Sequence, residues 1–140
     1  MSYQITRVLE IDAGHRLLKH TGKCRNYHGH RYVFEVTVTS KELDAVGRVI
    51  DFGVIKEKVG GWLDDRWDHG MILELGDPML AVLRDQGLKF DTLTTPPTAE
   101  NLARNLHKVA EDLLEGDGIK VVNIRCRETP NCWADSKGTP

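Results

Sequence analysis

An alternation of apolar and polar residues from Tyr32 to Thr39, with Val33 as the exception, constrains the fold more than any other feature. The apolar positions of this run are Tyr32, Phe34, Val36 and Val38. Because successive side chains of a β-strand point to opposite faces, the run predicts a strand with one buried face. The segment from Tyr3 to Asp12 alternates in the same way, with Arg7 as the exception, and predicts a second strand.

Five further elements follow from local patterns. They are a helix over 52–65 capped by Asp51, a short helix ending at Gln86, a helix opened by Pro96-Pro97-Thr98, a strand over 119–128 and a short strand over 132–134. Helices between two pairs of strands predict an α+β fold, with a four-stranded antiparallel sheet and helices on one face. Such a sheet has two open edges, which other copies of a chain commonly cover, so we expect an oligomer.

Length and charge exclude several classes of protein. The 140 residues predict a single domain over 1–140. The net charge of -2 argues against a nucleic-acid-binding protein, and no apolar run approaches the roughly 18 residues of a membrane helix. Three cysteines and an N-terminus without the features of a signal peptide favour free thiols in the cytoplasm.

Three histidines fall where strand ends should meet. His28 and His30 lie two residues apart at the start of the second strand, so their side chains share a face. His15 continues the phase of Ile11 at the end of the first strand. If these strands pair, the three imidazoles converge, and three imidazoles with one open position are typical of catalytic zinc. Two alternatives remain: Cys24 could close a structural site as a fourth ligand, or the histidines could be exposed loop residues.

The segment from Ala13 to Tyr32 contains five basic residues and no acidic residue. The basic residues are Arg16, Lys19, Lys23, Arg25 and Arg31. Positive charge around a metal favours a polyanionic small molecule such as a phosphate ester. A chance cluster on a solvated loop is the alternative.

Three carboxylates and a histidine are further candidates. Asp68 precedes His69, and a histidine beside a carboxylate can act as a general acid or base, although a surface ion pair has the same pattern. Glu128 continues the apolar phase of its strand, where it could accept two N–H bonds from an amino-pyrimidinone ring or pair with a local arginine. Glu100 stabilises the first turn of a helix and is the weaker candidate.

These motifs together resemble the 6-pyruvoyltetrahydropterin synthase / 6-carboxytetrahydropterin synthase family. The matching pieces are Ala13-Gly14-His15, Cys24-Arg25-Asn26-Tyr27-His28-Gly29-His30, Val49-Ile50-Asp51-Phe52, Asp68-His69, Pro97-Thr98-Ala99-Glu100-Asn101 and Glu128-Thr129. They occur in family order over nearly the whole chain.

The resemblance implies a tunnelling fold, in which a four-stranded antiparallel sheet carries two main helices and trimers close a barrel. Two trimers form a hexamer with active sites between subunits. It implies Zn²⁺ held by His15, His28 and His30. It also implies Cys24 as the catalytic thiol, Asp68 and His69 as its proton-transfer partners, and Glu128 as the anchor of the pterin.

The substrate implied by the family is a pterin triphosphate, 7,8-dihydroneopterin triphosphate. Glu100 is a further substrate-binding candidate, and Arg16, Lys19, Lys23 and Arg25 are candidates for the triphosphate. Three residues separate Cys24 from His28, a spacing that resembles the carboxy-forming branch, which makes an early intermediate of queuosine. The pyruvoyl-forming reaction on the same substrate is the nearest alternative.

Overall fold

The computed structural model describes residues 2–116 and 118–138. The strands are β1 (Tyr3–His15), β2 (His28–Ser40), β3 (Met71–Glu74), β4 (Phe90–Leu93), β5 (Lys120–Thr129) and β6 (Cys132–Lys137). The helices are α1 (Phe52–Ile55), α2 (Gly61–Arg66), α3 (Met79–Gln86) and α4 (Ala99–Leu114), with a π-helical segment at Lys56–Gly60 and a 3₁₀ turn at Lys23–Arg25.

The strands form one mixed sheet in the order β4-β3-β1-β2-β5-β6. The four antiparallel strands β1, β2, β5 and β6 match the four expected from the sequence. The expectation of a purely four-stranded antiparallel sheet is wrong, because β3 and β4 add two strands that pair in parallel with β1 and with each other. Each added strand has only four residues, too few for a period of two to stand out from a loop.

The predicted helix over 52–65 is continuous from Phe52 to Arg66, but it widens into the π-helical segment before the Gly60-Gly61 pair. Asp51 caps its start by accepting a hydrogen bond from the amide of Gly53 at 2.8 Å. Gly60 is buried, and a Cβ added there would lie 3.4 Å from Leu9 Cδ2 on β1. That is an ordinary van der Waals distance, so the helix packs closely on the sheet here without a requirement for glycine.

The core lies between the sheet and the two longer helical segments. The side chains of β1 and β2 that the alternation predicts to be buried belong to this core. They include Ile11, Tyr32 and Phe34, each at most 1% exposed. Leu63 and Leu106 bring the opposing helix faces into the same cluster. The imidazoles of β1 and β2 extend this buried face at one end of the sheet.

The N-terminal part of β1 pairs with β2 on one side only. Along the described residues, β3 reaches β1 only at Gly14 and His15. The backbone from Tyr3 to Ile11 therefore has no strand partner on its outer side. No helix in 2–116 or 118–138 combines the length and apolar character needed to cross a bilayer.

Candidate functional site

The β1–β2 hairpin brings the three predicted imidazoles together. His15 pairs with His28 and Ala13 with His30 in the antiparallel register, so the three side chains share one face of neighbouring strand ends. The Nε2 atoms of His15 and His28 lie 3.1 Å apart. The ring centroids of His28 and His30 are 5.0 Å apart.

Backbone carbonyls fix the tautomers of two of these rings. His15 Nδ1 lies 2.7 Å from the carbonyl oxygen of Pro97, and His28 Nδ1 lies 2.7 Å from that of Asn26. A carbonyl oxygen only accepts, so each Nδ1 carries the proton and each Nε2 of a neutral ring presents a lone pair. Two facing lone pairs repel each other, and a cation between them removes the repulsion. The donor set therefore fits a metal ion, with the second-shell support that metal-bound histidines usually have.

Glu128 completes the cluster from β5. Its Oε1 lies 3.1 Å from His30 Nε2, and one ligand atom from each of these residues and from His15 and His28 falls within a span of 4.8 Å. In the part of the chain that the structure describes, Glu128 contacts this histidine and forms no ion pair with an arginine. The phase of β5 predicted a carboxylate on the buried side, but not its place beside the imidazoles.

Burial favours the neutral form of two of the imidazoles. Desolvation lowers the pKa of His15 below 6.5, against the hydrogen bond that His15 donates to the Pro97 carbonyl, which acts to raise it. Desolvation also lowers the pKa of His30. Neutral imidazoles are the form that binds a metal ion.

Cys24 lies in the 3₁₀ turn of the loop between β1 and β2, and it is half-buried. Its thiol is not a member of the ligand cluster found among the described residues, where Glu128 takes the fourth place. The three histidines are thus assembled without sulfur, which disfavours the alternative of a closed site with Cys24 as a ligand.

The Asp68–His69 contact expected from the sequence is present. His69 Nδ1 lies 2.9 Å from Asp68 Oδ2, while Asp68 Oδ1 accepts the amide of Asp12 at 2.9 Å. Burial acts to raise the pKa of Asp68, but the bonds from Asp12 and His69 outweigh it and lower the pKa. His69 has a positive φ of 60° and a side chain that is 76% exposed.

The cavity beside His69 has a volume of about 600 Å³. It is lined by Asp12, Gly14, Arg31, Met71, Lys89 and His69, among others. By the alternation of β1 and β2, Asp12 and Arg31 lie on the face opposite to His15 and His30. His30 also lines this cavity, but the ligand cluster found among the described residues does not include His69.

The basic candidates divide into one paired residue and three exposed ones. Arg16 forms a bidentate ion pair with Asp77, at 2.7 and 3.1 Å, and its side chain is 12% exposed. Lys19, Lys23 and Arg25 are exposed. Glu100 is also exposed, in the first turn of α4. Local sequence could not reveal the partner of Arg16, which is 61 positions away.

The fold and the site define an α+β protein whose sheet carries a metal-ligand cluster at the end of a β-hairpin. A sequence profile described as 6-pyruvoyl tetrahydropterin synthase matches residues 4–139. A relative from Rickettsia bellii, named 6-carboxy-5,6,7,8-tetrahydropterin synthase, is 43% identical over 133 residues, which cover 93% of this chain and 96% of the relative. A relative of the same name from Aquifex aeolicus is 32% identical and covers 98% and 99%.

Solved structures show the same fold. An uncharacterized protein from Wolinella succinogenes aligns with a TM-score of 0.85 at 22% identity, over 99% of both chains. The 6-pyruvoyl tetrahydropterin synthase of Caenorhabditis elegans aligns with a TM-score of 0.74 at 24% identity, over 99% of this chain and 97% of that one. The chain belongs to the 6-pyruvoyl tetrahydropterin synthase family.

Proposed function

We propose that this chain is a 6-carboxy-5,6,7,8-tetrahydropterin synthase. In this proposal it is a zinc-dependent lyase that converts 7,8-dihydroneopterin triphosphate and one water to 6-carboxy-5,6,7,8-tetrahydropterin, acetaldehyde and triphosphate, in the 7-deazaguanine (queuosine) pathway. The observation that carries the proposal is the 43% identity to a relative of that name along nearly the full length of both chains. The short spacing from Cys24 to His28 agrees with it.

In this proposal His15, His28 and His30 hold the zinc. Bound there, zinc supplies Lewis acidity toward oxygen atoms of the substrate side chain. The carbonyls of Pro97 and Asn26 hold two of the imidazoles in the tautomer that presents Nε2. Three imidazoles also suit other divalent ions, so the choice of zinc rests on the family resemblance.

Cys24 is proposed to move a proton at the side chain of the substrate, and His69 to move a second one, with Asp68 orienting its ring. Glu128 is proposed to hold the pterin by accepting two parallel N–H bonds. Its position beside His30, at 3.1 Å, supports this role because a ring held there has its side chain next to the imidazole cluster.

The triphosphate is proposed to bind Lys19, Lys23 and Arg25, whose exposed charges lie on the loop that carries Cys24. Arg16 is a poorer candidate than the sequence indicated, because Asp77 already neutralises its charge. Glu100 is kept as a candidate for substrate binding. It lies in the first turn of α4, three residues after Pro97, whose carbonyl accepts the hydrogen bond from His15.

An oligomer with active sites between subunits, expected to be a hexamer of two trimers, fits two features. The outer edge of β1 has no strand partner over residues 3–11. His69 is largely exposed and is not a member of the ligand cluster found among the described residues, so the proposal has it serve the cluster of another copy. The three free cysteines suit the cytoplasm. Neither nucleic acid nor a membrane is proposed as a partner.

Incubation of the purified protein with 7,8-dihydroneopterin triphosphate tests the reaction. Acetaldehyde and 6-carboxytetrahydropterin in equal amounts are expected. A 6-pyruvoyl product without acetaldehyde would favour the pyruvoyl-forming reaction, which the family also includes. A protein that turns over no pterin and loses its metal on Cys24→Ala would favour a non-enzymatic module with a structural site.

A further inference from the structure

Asp77 is a buried carboxylate at the start of α3 that receives four hydrogen bonds. Its side chain is 1% exposed. Arg16 donates to it from Nε at 2.7 Å and from Nη2 at 3.1 Å, and the hydroxyl of Tyr27 donates at 2.6 Å. The amide of Met79 donates the fourth bond at 2.9 Å. Oδ1 accepts three of these bonds and Oδ2 accepts one, so the carboxylate joins the start of its own helix to two residues far away in sequence.

The two side-chain donors lie at the two ends of the loop that carries Cys24, residues 16–27. Arg16 directly follows His15, and Tyr27 directly precedes His28. The guanidinium of Arg16 also lies over the ring of Tyr27, 4.3 Å from its centroid, so the two ends are packed on each other. Asp77 thus closes the base of the loop next to two of the metal-ligand candidates.

The loop has few other ties. Its internal bonds are local, such as the amide of Leu17 to the carbonyl of Cys24 at 2.9 Å. Among the residues that the structure describes, the side chains of 16–27 donate hydrogen bonds to the rest of the chain only at Asp77. Apart from the strand pairing at its two ends, the hydrogen bonds that tie the loop to the rest of the chain through its side chains therefore converge on this one carboxylate.

We propose that Asp77 is a positioning residue, which fixes the loop 16–27 and with it Cys24 relative to the imidazole cluster. This inference rests on the proposed function, in which Cys24 is a catalytic thiol. It also gives Arg16 a role that does not involve the triphosphate. A purely structural role as the cap of α3 needs only the bond from Met79 and does not account for the donors from Arg16 and Tyr27.

Limited trypsin digestion of the full-length protein tests the fixing of the loop. Lys19, Lys23 and Arg25 are exposed cleavage sites inside the loop, and the exposed Lys41 outside it serves as the internal reference. Asp77→Asn is expected to raise the rate of cleavage in the loop, relative to Lys41, by about tenfold or more. The reason is that it removes charge-assisted bonds that oppose local opening.

Two further variants keep this test decisive. Tyr27→Phe removes one donor and leaves the ring under Arg16, so a smaller rise in loop cleavage is expected. If Asp77→Asn does not fold, the comparison of Tyr27→Phe with the wild-type protein tests the inference instead. Asp91→Asn is the matched control. Asp91 is also a largely buried carboxylate, 15% exposed, but it pairs with Arg66 and not with the loop. An unchanged ratio of loop cleavage is expected for it. None of the three substitutions changes a trypsin site.

Steady-state kinetics separate positioning from stability. Asp77→Asn is expected to lower kcat at least about tenfold with less than about a threefold change in KM and an unchanged metal content, since misplacing a reacting group costs rate. The inference would be overturned if Asp77→Asn and Tyr27→Phe both gave the wild-type ratio of loop cleavage. It would also be overturned if Asp91→Asn raised that ratio as much as they do. If Asp77→Asn raises loop cleavage as expected but the wild-type protein forms no 6-carboxy product, the proposed function is wrong. The inference that Asp77 fixes the loop is then still supported.

Discussion

Asp91, in the segment over residues 70–97, is expected to support the candidate site through its hydrogen bond with Trp67. Trp67 is fully buried, and its indole N–H donates to Asp91 Oδ2 at 2.8 Å. Arg66 reaches the other oxygen at 3.1 Å from a side chain that is 50% exposed. The strand β4 thereby holds the helix end that leads into Asp68 and His69.

Asp91→Ala is expected to destabilise the protein by about 2–3 kcal/mol. A hydrogen bond to a charged group contributes about 1.5–3 kcal/mol and the half-exposed ion pair less than about 1 kcal/mol. With an unfolding entropy of about 2.1 cal/mol/K per residue, a loss of 2–3 kcal/mol over 140 residues lowers Tm by about 7–10 °C. Asp91→Asn keeps an acceptor for the indole, so a smaller loss of about 1 kcal/mol is expected.

Thermal unfolding followed by circular dichroism measures these differences, and urea unfolding checks that the m-value is unchanged. Near-ultraviolet dichroism reports the packing of Trp67. If Asp91→Ala and Asp91→Asn unfold at the same temperature, the indole bond is not what the carboxylate contributes, and the reasoning is refuted.

The remaining predictions concern the metal, the pH and the thiols. If the binding free energy of about 10–16 kcal/mol typical of structural zinc is shared among the three imidazoles, His28→Ala loses about two to four orders of magnitude in zinc affinity, which competition with a chelator measures. Cys24→Ala is expected to keep the metal and lose turnover, which the same competition and the product assay report. The bonds from Arg16 and Tyr27 outweigh burial and hold the pKa of Asp77 below 3.8. The stability difference between wild type and Asp77→Asn is therefore full at neutral pH and declines as pH falls through that lowered pKa, which acid titration of unfolding measures; a difference independent of pH would contradict this. Cys126 is fully buried and its thiol pKa is raised by burial, so a thiol reagent should modify the other two cysteines and spare it until unfolding, as mass spectrometry of the labelled protein would report.

Much of the fold follows from patterns that are local in sequence. The period of two in β1 and β2 places the core face correctly, because burial on one side forces this period. The two short strands β3 and β4 did not follow, since their pairing is parallel, long-range and only four residues long.

The site divides in the same way. The phase of His15 and the spacing of His28 and His30 were enough to predict the convergence of the imidazoles, because a two-residue spacing and one hairpin determine it. The bonds that Asp77 accepts from Tyr27 and Arg16 could not be predicted, because these residues lie 50 and 61 positions away and no periodic pattern links them to Asp77. The place of Glu128 beside His30 depends on the register between β2 and β5, which includes an irregularity at Thr37 and Val38.

X-ray absorption at the zinc edge tests the central claim most directly, that three imidazoles on the two ends of one hairpin hold the metal without the thiol. For the wild-type protein loaded with zinc, we predict a first shell of nitrogen and oxygen scatterers at about 2.0–2.2 Å with the multiple-scattering pattern of imidazole. The Cys24→Ala variant should give the same spectrum. A sulfur scatterer at about 2.3 Å that disappears in Cys24→Ala would contradict the account.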